Sequence, residues 1–418
     1  MNDCLVMLTK VFPFDKGEEF IEDEILMLSE NFKKVIIIAT STADNAVQTR
    51  TTPENFEILR IKASKIKRSL PINAIKLFPF YNYNGYISEK ERMEIKGSLK
   101  KRAYLTYFIS KSNAVFEEAK DILNQCNLSQ YNKVIFYSYW FYDTALAAIK
   151  LKDYFKLNKK AAISRAHGYD IYTYRNSMNY LPLREYLLKN IDKVYTCSKN
   201  GMDYLKNLYN GYNNKIEVGY LGSKDHGIKS VDEEHVFHIV SCCHISPVKR
   251  MDLLAKALAT LKNSGLKLRW THFGAGDGLE DLKAYASENL GFMEVSFPGG
   301  IKNIDLMRYY QKEPVDLFIN TSSSEGLPVS IMEASSFGIP TIATNVGGTS
   351  EIVRDMQTGI LIDADFKVEE LGEKIKYMVL LNNEERQAFR ERCRNLWVDS
   401  FCAERNFARF AQQIKEIK

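Results

Sequence analysis

The chain has 418 residues, which is too long for one ordinary hydrophobic core and predicts roughly two or three domains. Its 45% hydrophobic and 26% charged residues are typical of a folded soluble protein, and no apolar run reaches the roughly 18 to 20 residues of a membrane span. The start, MNDCLVML, has no basic region and no cleavage pattern, so a secretory signal is not expected. Seven cysteines without a C-x-x-C pair favour reduced thiols and a cytoplasmic location, and six histidines without metal-ligand spacing argue against a metalloenzyme.

Strand-like segments alternate with helix-length segments through the first half of the chain. They are short, β-branched and almost continuously apolar, which is typical of parallel strands buried on both faces of a sheet. In chain order they are CLVMLT, KVIIIAT, FEILRIK, KVIFYS, AAISRA, KVYTCS and KIEVGYLG. This alternation predicts a doubly wound, Rossmann-like α/β domain over residues 1–222.

A basic stretch, residues 61–102, lies within this domain. It carries eleven Lys or Arg and three Glu, a local net charge of +8, so the rest of the chain has a net charge of about −3. Its segment LPINAIKLFPFYNYNGY is apolar and aromatic but has two prolines and no helical period. The stretch is interpreted either as a solvated loop and helix face or as a contact with anionic lipid headgroups. Nucleic acid is not expected as a partner, because no nucleic-acid-binding motif accompanies the charge.

A polar segment, GSKDHGIKSVDEEH at 222–235, precedes a second set of strands and is predicted to be a linker because it has two glycines, several charges and no apolar period. The strands that follow are VFHIVSCC, KLRWTHFG, MEVSFPG, DLFINTS, PTIATN and GILID. They predict a second doubly wound domain over 235–399. The last segment, 400–418, is expected to form a helix that packs back on the first domain. Its apolar positions at helical spacing are Phe401, Phe407, Phe410 and Ile414.

The segment DLFINTSSSEGLPVSIMEASSFGIP, at 316–340, is the strongest candidate for a ligand site. Ligands of open parallel sheets bind outside the carboxyl ends of the strands, and two such domains predict a cleft where the strand ends face each other. The segment predicts a strand, a serine-rich turn and a helix from about Pro328 to Phe337, because proline favours the first helical turn and Gly-Ile-Pro ends a helix. Free N–H groups at such a helix start suit a phosphate or sugar hydroxyls.

Two glutamates, Glu325 and Glu333, flank the start of this helix. Eight positions at about 1.5 Å each separate them by roughly 12 Å along a helix axis, which is about the reach of a nucleotide-sugar from its hexose to its ribose. One carboxylate is therefore predicted to accept from sugar hydroxyls and the other from the ribose hydroxyls. The alternative is two glutamates on a solvent-facing helix, and the G-L-P turn, the preceding strand and the following GIPTIATNVGGTSEIV argue against it.

This block resembles the E-x7-E signature of the family 4 glycosyltransferases, which are retaining enzymes of GT-B fold. SPVKRMDLLAKAL (246–258) resembles the family's basic phosphate-binding turn, HFGAGDGLEDL (272–282) the strand and turn that follow, and TNVGGTSEIV with TGILID the end of its C-terminal domain. In the first half, SRAHGYDIY (164–172) resembles the H-G-x-D loop, and FPFDKGEEFIEDEI (12–25) stands in the place of the glycine-rich loop. The GAGDG turn lacks the third glycine of a dinucleotide fingerprint.

The resemblance implies roles for individual residues. Lys249 would contact the donor diphosphate, where a cation offsets the charge that grows on the leaving phosphate, and His244 stands where the family often has an arginine. His167 would lie beside the donor sugar, with a core histidine bonded to a backbone carbonyl as the alternative. Asp170 would orient its loop, touch the acceptor or cap the backbone. The implied catalytic residues are His167, Lys249 and Glu325. The implied donor-binding residues are Gly17, His244, Lys249, Arg250, Ser324, Glu325, Gly326, Leu327, Pro328, Val329 and Glu333.

The resemblance further implies an acceptor-binding first domain and a nucleotide-sugar-binding second domain. We expect a retaining transfer of a sugar from a nucleotide-sugar to a hydroxyl of a glycan or lipid-linked glycan, as in surface polysaccharide biosynthesis, at the inner face of the cell membrane. No cofactor or metal is expected, on the ground that no D-x-D sits after a strand where it could hold a metal. The alternatives are a nucleotide-sugar epimerase of the same fold, which would turn over donor without an acceptor, and a non-catalytic sugar-binding subunit.

Overall fold

The structure is a computed structural model in which the chain divides into two compact units. Unit 1 comprises Met1–Tyr220 and Glu404–Lys418, and unit 2 comprises Leu221–Ala403. The described residues are 2–77 (backbone alone for 71–77), 83, 85–228 and 235–417. Of the linker predicted at 222–235, residues 229–234 lie outside the described residues.

Unit 1 is built on a parallel sheet of seven strands in the order β3-β2-β1-β4-β5-β6-β7. All seven strands predicted for the first half are confirmed. Every residue of β1 and of β4 is buried, which explains why these strands are continuously apolar rather than alternating. The strands are β1 Asp3–Thr9, β2 Lys34–Thr42, β3 Phe56–Lys62, β4 Lys133–Ser138, β5 Lys160–Ala166, β6 Lys193–Thr196 and β7 Ile216–Val218.

Helices connect these strands, and the last helix of the chain also belongs largely to unit 1. The helices are α1 Ile21–Asn31, α2 Ala63–Leu77, α3 Glu89–Ile95, α4 Leu99–Leu123, α5 Asp143–Tyr154, α6 Arg184–Asn190, α7 Lys199–Leu208 and, at the end, α15 Ala403–Glu416. Helix α2 continues through Pro71, although the sequence from Leu70 onward has two prolines and no helical period. Its first two turns are held by the buried Ile66 and the partly buried Leu70, and proline disfavours a helix interior without forbidding it.

A buried ion pair joins α1, β5 and α15 inside unit 1. Arg165 on β5 and Glu24 on α1 are fully buried, and their Nη2 and Oε2 atoms lie 2.8 Å apart. The Arg165 guanidinium also donates to the Gly219 carbonyl at 2.6 Å and lies 4.0 Å from the ring centroid of Phe410 on α15. The pair therefore fixes the C-terminal helix against the centre of this sheet.

Unit 2 is a second parallel sheet, of six strands, in the order β10-β9-β8-β11-β12-β13. The six predicted strands are confirmed as β8 Phe237–Cys242, β9 Leu268–Phe273, β10 Glu294–Gly299, β11 Leu317–Asn320, β12 Thr341–Thr344 and β13 Gly359–Ile362. The helices are α8 Met251–Ala259, α9 Leu279–Asn289, α10 Asn303–Lys312, α11 Val329–Ser336, α12 Thr349–Ile352, α13 Val368–Leu380 and α14 Asn383–Ser400. Within the described ranges of both units, no helix is long and apolar enough to cross a membrane.

Candidate functional site

The order of strands in unit 2 decides which loops can form a site. Strands β8, β11 and β12 are neighbours and run parallel, so the loops that follow them emerge at the same edge of the sheet. These loops are 243–250, 321–328 and 345–348. They contain most of the residues that the sequence predicts to bind a donor.

The central contact of this site is an ion pair between Lys249 and Glu325. Lys249 ends the short 3-10 turn Pro247–Lys249 after β8, and its Nζ lies 2.6 Å from Glu325 Oε1. Glu325 is only 8% exposed, and Asn320 at the end of β11 donates to the same carboxylate oxygen at 3.3 Å. Lys249 was predicted to bind a phosphate and Glu325 to accept from sugar hydroxyls, and the structure shows that these two side chains contact each other directly.

Arg250, predicted to bind the donor, is engaged by backbone instead. Its guanidinium donates to the Thr321 carbonyl at 2.7 Å, to the Ser322 carbonyl at 3.2 Å and to the carbonyl of Ala364. Burial lowers the pKa of Arg250, and the residue itself has a left-handed backbone with φ of 49°. Arg250 therefore joins the loops that follow β8, β11 and β13, and its contact with a donor stays a prediction.

The serine-rich turn contains a polar atom that no protein group satisfies. Ser324 Oγ is buried and has no hydrogen-bond partner among the described residues. Buried polar atoms in folded proteins nearly always have a partner, and an exception of this kind indicates a place that a ligand or water fills. Ser324 directly precedes Glu325 in the loop that contains the ion pair.

Helix α11 begins and ends within one residue of the prediction. Pro328 is its N-cap, and Gly326 with the buried Leu327 leads into it. Glu325 lies outside the helix, whereas Glu333 lies in its second turn, where Asn303 Nδ2 donates to Glu333 Oε1 at 2.6 Å. The two glutamates thus differ in setting: one is buried beside a cation, and the other is partly buried beside an amide.

Sequence reasoning missed Gly347 as a residue that shapes the site. Its φ is +56°, and a Cβ at this position would lie 1.9 Å from the Glu325 carbonyl oxygen. The next residue, Gly348, donates its N–H to the Gly326 carbonyl at 2.7 Å. The loop after β12 therefore packs directly on the backbone of Glu325 and Gly326. The paired glycines of TNVGG could have identified this position from the sequence, because glycine has no Cβ and allows two backbone segments to approach closely.

A D-x-D does follow one strand, and the expectation that no metal is needed stays a prediction. Asp363, Ala364 and Asp365 form a D-x-D directly after β13. Both carboxylates are exposed, while the Ala364 carbonyl between them accepts from Arg250. A search of the described residues finds no group of three or more His, Cys, Asp or Glu side chains placed to hold a metal ion.

In unit 1 the predicted histidine loop follows β5. His167 is 9% exposed, and neither of its ring nitrogens has a hydrogen-bond partner among the described residues. The alternative of a histidine satisfied by a backbone carbonyl is therefore not what the structure shows. The imidazole instead contacts aromatic rings, with centroid distances of 4.4 Å to Trp140 and 5.1 Å to Tyr139.

Asp170 orients this loop. Its Oδ1 accepts from the His167 N–H at 2.7 Å and its Oδ2 from the Phe141 N–H at 2.9 Å. Burial acts to raise the pKa of Asp170, but hydrogen bonding and charge from His167, together with the charge of Arg184, lower it below its ordinary value. The carboxylate thus holds the loops after β4 and β5 together, which is the first of the roles predicted for it.

The two remaining predicted residues, Gly17 and His244, are less informative. Gly17 has φ of +105°, and its carbonyl accepts from Arg50 at 2.9 Å. His244 is exposed in the loop after β8. Nothing in their surroundings separates a ligand contact from a structural role, so both assignments stay predictions.

The two units, each with a doubly wound parallel sheet, define the GT-B class of glycosyltransferase folds predicted from the sequence. Residues 223–396 match the model of a protein family described as "Glycosyl transferases group 1". The matched segment lies within the range of unit 2, Leu221–Ala403, and covers less than half of the chain. The GT-B fold expected from the resemblance is confirmed, and the family match supports the resemblance over residues 223–396.

Individual relatives match over part or all of the chain. The O-antigen biosynthesis glycosyltransferase WbnH of Escherichia coli is 33% identical over 115 residues, which are 28% of this chain and 30% of that protein. The match thus spans less than a third of the relative. Among solved structures, the lipopolysaccharide outer core galactosyltransferase WaaB has a TM-score of 0.67 at 14% identity, with 98% of this chain and 99% of that chain covered. Anabaena HepE, in complex with UDP and glucose, has a TM-score of 0.62 at 14% identity, with 98% and 99% covered.

Gly347→Ala tests the close packing under Glu325. We expect the free energy of unfolding to fall by about 1–3 kcal/mol or more, because alanine is strained at positive φ and its Cβ would also collide with the Glu325 carbonyl. The measurement is urea unfolding followed by circular dichroism. The matched control is Gly291→Ala in the same unit, where a Cβ meets no atom within 4 Å. Equal stability of the two variants would contradict the packing argument.

Proposed function

We propose that this protein transfers a sugar from a nucleotide-sugar to a hydroxyl of a glycan or lipid-linked glycan, with retention of the anomeric configuration. The observation that carries the proposal is the ion pair between the partly exposed Lys249 and the buried Glu325, at the loop that leads into α11 and contains the unsatisfied Ser324 hydroxyl. The group 1 glycosyl transferase match over 223–396 supports the reaction class. The names of WbnH and WaaB, which refer to O-antigen and lipopolysaccharide, support surface polysaccharide as the setting.

The proposed donor contacts follow from the charges at the site. A diphosphate is doubly charged or more, so it would compete with Glu325 for Lys249 and release that carboxylate to accept from sugar hydroxyls. The first N–H groups of α11 have no acceptor within the helix and carry the positive end of its dipole, which favours an anion at the same place. UDP in the HepE structure supports a nucleoside diphosphate as the leaving group.

The chemistry proposed for retention is attack on the same face that the diphosphate leaves. In this scheme the acceptor oxygen forms the new bond to the anomeric carbon, the bond to the diphosphate breaks, and the diphosphate oxygen takes the acceptor proton. Lys249 would stabilise the growing negative charge, and no protein nucleophile is needed. Because Lys249 supplies the cation, we propose that the reaction requires no divalent metal.

A panel of nucleotide-sugars tests the function. A bound donor raises the unfolding temperature, because it stabilises the folded state in proportion to ln(1 + [L]/Kd). The stabilising donor is then incubated with and without glycan acceptors, and NMR reports the anomeric configuration of the product. A new glycosidic bond with the donor's configuration is expected. Inversion would contradict retention, conversion of the donor to an epimer without acceptor would indicate an epimerase, and stabilisation without turnover would indicate a binding subunit.

Lys249→Ala tests the leaving-group role. We expect kcat to fall more than the donor KM rises, because the charge on the leaving diphosphate is larger in the transition state than in the bound donor. The matched control is Lys256→Ala, which removes an exposed lysine of α8 and should leave both constants unchanged. Loss of donor binding with unchanged kcat would point to simple anchoring. Strong inhibition of the wild-type enzyme by a chelator would contradict the metal-free proposal.

Glu333→Ala tests the ribose contact. The variant should weaken the binding of free nucleoside diphosphate as much as that of the full donor, by roughly 1.5–3 kcal/mol, because a buried hydroxyl pair would lose a charged acceptor. Calorimetric titration of both ligands gives the two affinities. Glu280→Ala, on the exposed start of α9, is the control. Unchanged affinity for the free nucleotide would contradict the ribose assignment.

We also propose that the basic stretch holds the enzyme at an anionic membrane surface, where a lipid-linked acceptor would lie. Lys65, Lys67 and Arg68 are exposed on α2, although Lys65 also pairs with Glu118 at 2.9 Å. Each basic residue near such a surface contributes about 1 kcal/mol, and salt screens the attraction. The aromatic residues at positions 78, 80 and 81 of this stretch lie outside the described residues, so the proposal rests on the charges.

Vesicle binding tests the membrane contact. Binding to anionic vesicles should be strong at low salt and lost as salt rises. Reversal of Lys65, Lys67 and Arg68 to Glu should release the protein and leave donor hydrolysis unchanged. The control reverses three exposed lysines elsewhere in unit 1, Lys156, Lys159 and Lys189. Equal binding to neutral and anionic vesicles, or equal release by both triple variants, would contradict a specific surface.

A further inference from the structure

A second cluster of side chains lies at the carboxyl ends of three neighbouring strands in unit 1. Lys10 follows β1, Trp140 lies just past β4, and Tyr169 lies just past β5; these strands are adjacent and parallel. The Lys10 ammonium lies 4.7 Å from the centroid of the Trp140 ring and 4.4 Å from that of Tyr169. It also donates to the Tyr169 hydroxyl. All three side chains are partly exposed.

Lys10 is the cation of this cluster, and no carboxylate of the described residues forms an ion pair with it. Burial lowers the pKa of Lys10. A lysine that is partly desolvated without a counter-ion retains its full capacity for an anion. The two aromatic rings attract the ammonium through their π faces, but that attraction is weaker than a hydrogen-bonded ion pair.

The nearby carboxylates are all held by other groups. Both oxygens of Glu18 accept from the backbone N–H groups of residues 10–12, and Oε1 also accepts from Trp140 Nε1. Both oxygens of Asp170 accept from backbone N–H groups. Asp143 lies 2.9 Å from Lys111. Glu18 and Asp170 cannot turn to Lys10 without abandoning backbone N–H donors, and Asp143 is paired with Lys111 rather than with Lys10.

A second observation supports a ligand site beside this lysine. The His167 ring, whose two nitrogens are buried without a hydrogen-bond partner among the described residues, lies 4.4 Å from the Trp140 ring. The Trp140 and Tyr169 rings are themselves 5.0 Å apart. Apolar ring surface, an unmatched cation and unsatisfied imidazole nitrogens together suit a sugar ring that carries an acidic group, because its C–H faces, hydroxyls and charge each find a counterpart.

We propose that Lys10, Trp140 and Tyr169 form a subsite in unit 1 for a sugar that bears a carboxylate or a phosphate. Lys10 binds the acidic group, and the two rings contact the face of the sugar. The interpretation of this sugar as part of the acceptor rests on the proposed transfer reaction. The binding of the sugar to the subsite does not depend on that reaction. Lys10 thereby becomes a determinant of acceptor specificity.

Tryptophan fluorescence provides a direct test. Trp270 and Trp397 are fully buried in unit 2, so Trp140 is the partly exposed tryptophan of the chain's three. The protein is titrated with glucose, glucuronate and glucose 6-phosphate at constant ionic strength, and a Trp140→Phe variant gives the background. We expect at least one acidic sugar to bind about tenfold to a hundredfold more tightly than glucose, as a charged hydrogen bond predicts. If glucuronate binds more tightly than glucose 6-phosphate, the acidic group is a carboxylate; if glucose 6-phosphate binds more tightly, it is a phosphate.

Lys10→Gln should remove the preference for the acidic sugar and leave the weak binding of glucose. The matched control is Lys16→Gln, an exposed lysine in the same β1–α1 loop, which should keep the preference. Equal affinity of the wild-type protein for all three sugars, no response of Trp140 to any of them, or the same loss in both variants would overturn the proposal.

A second measurement needs no variant of Lys10 and therefore does not depend on its folding. Iodide should quench Trp140 more strongly than neutral acrylamide does, because the ammonium attracts the anion, and the favoured acidic sugar should remove this excess. Iodide quenching that the acidic sugars do not relieve contradicts the subsite. Sugar transfer by a protein that binds none of the acidic sugars would contradict this subsite alone, and binding of these sugars without any transfer activity would contradict the transferase proposal alone.

Discussion

The parallel direction of neighbouring strands is the constraint on which every site in this protein depends. A parallel sheet sends the residues after each strand to one edge, so segments far apart in the chain meet without any long connection. In unit 2 this brings Lys249 to Glu325, which are 76 positions apart. In unit 1 it brings Lys10 to Tyr169, which are 159 positions apart. In both clusters the strand order determines which residues meet, and the residues then determine the chemistry.

The fold was predictable because its signal is repeated along the chain. The thirteen strands of the described residues are short, mainly apolar segments bounded by polar ones. A strand that is buried on both faces can be recognised from its own sequence, without reference to its neighbours. The start of α11 was predictable for a different reason, since Pro328 and the Gly-Ile-Pro at 338–340 have strong local preferences. At Pro71 the helix continues, because packing of Ile66 outweighs a local preference against helix.

The site was predictable only in part, because a side chain's partners depend on tertiary structure. The sequence identifies Lys249 and Glu325 as candidates but does not show that they pair with each other. It equally gives no sign that Arg250 donates to three backbone carbonyls, that Glu18 accepts from the loop at 10–12, or that a Cβ at Gly347 would meet Glu325. Lys10 has no motif at all, and only the sheet order shows that it lies among aromatic rings.

The path of the chain through the two units has a consequence for synthesis. Unit 2 is inserted between β7 and the last helix, so unit 1 contains both an early segment and residues 404–418. During translation all residues of unit 2 are synthesised before α15 leaves the ribosome. Until then unit 1 lacks α15, and its ion pair of Arg165 and Glu24 is not covered on the side that Phe410 later occupies. The part of the protein made first is therefore the part that finishes folding last, and its aromatic surface around Tyr137 and Tyr195 is exposed until the final helix arrives.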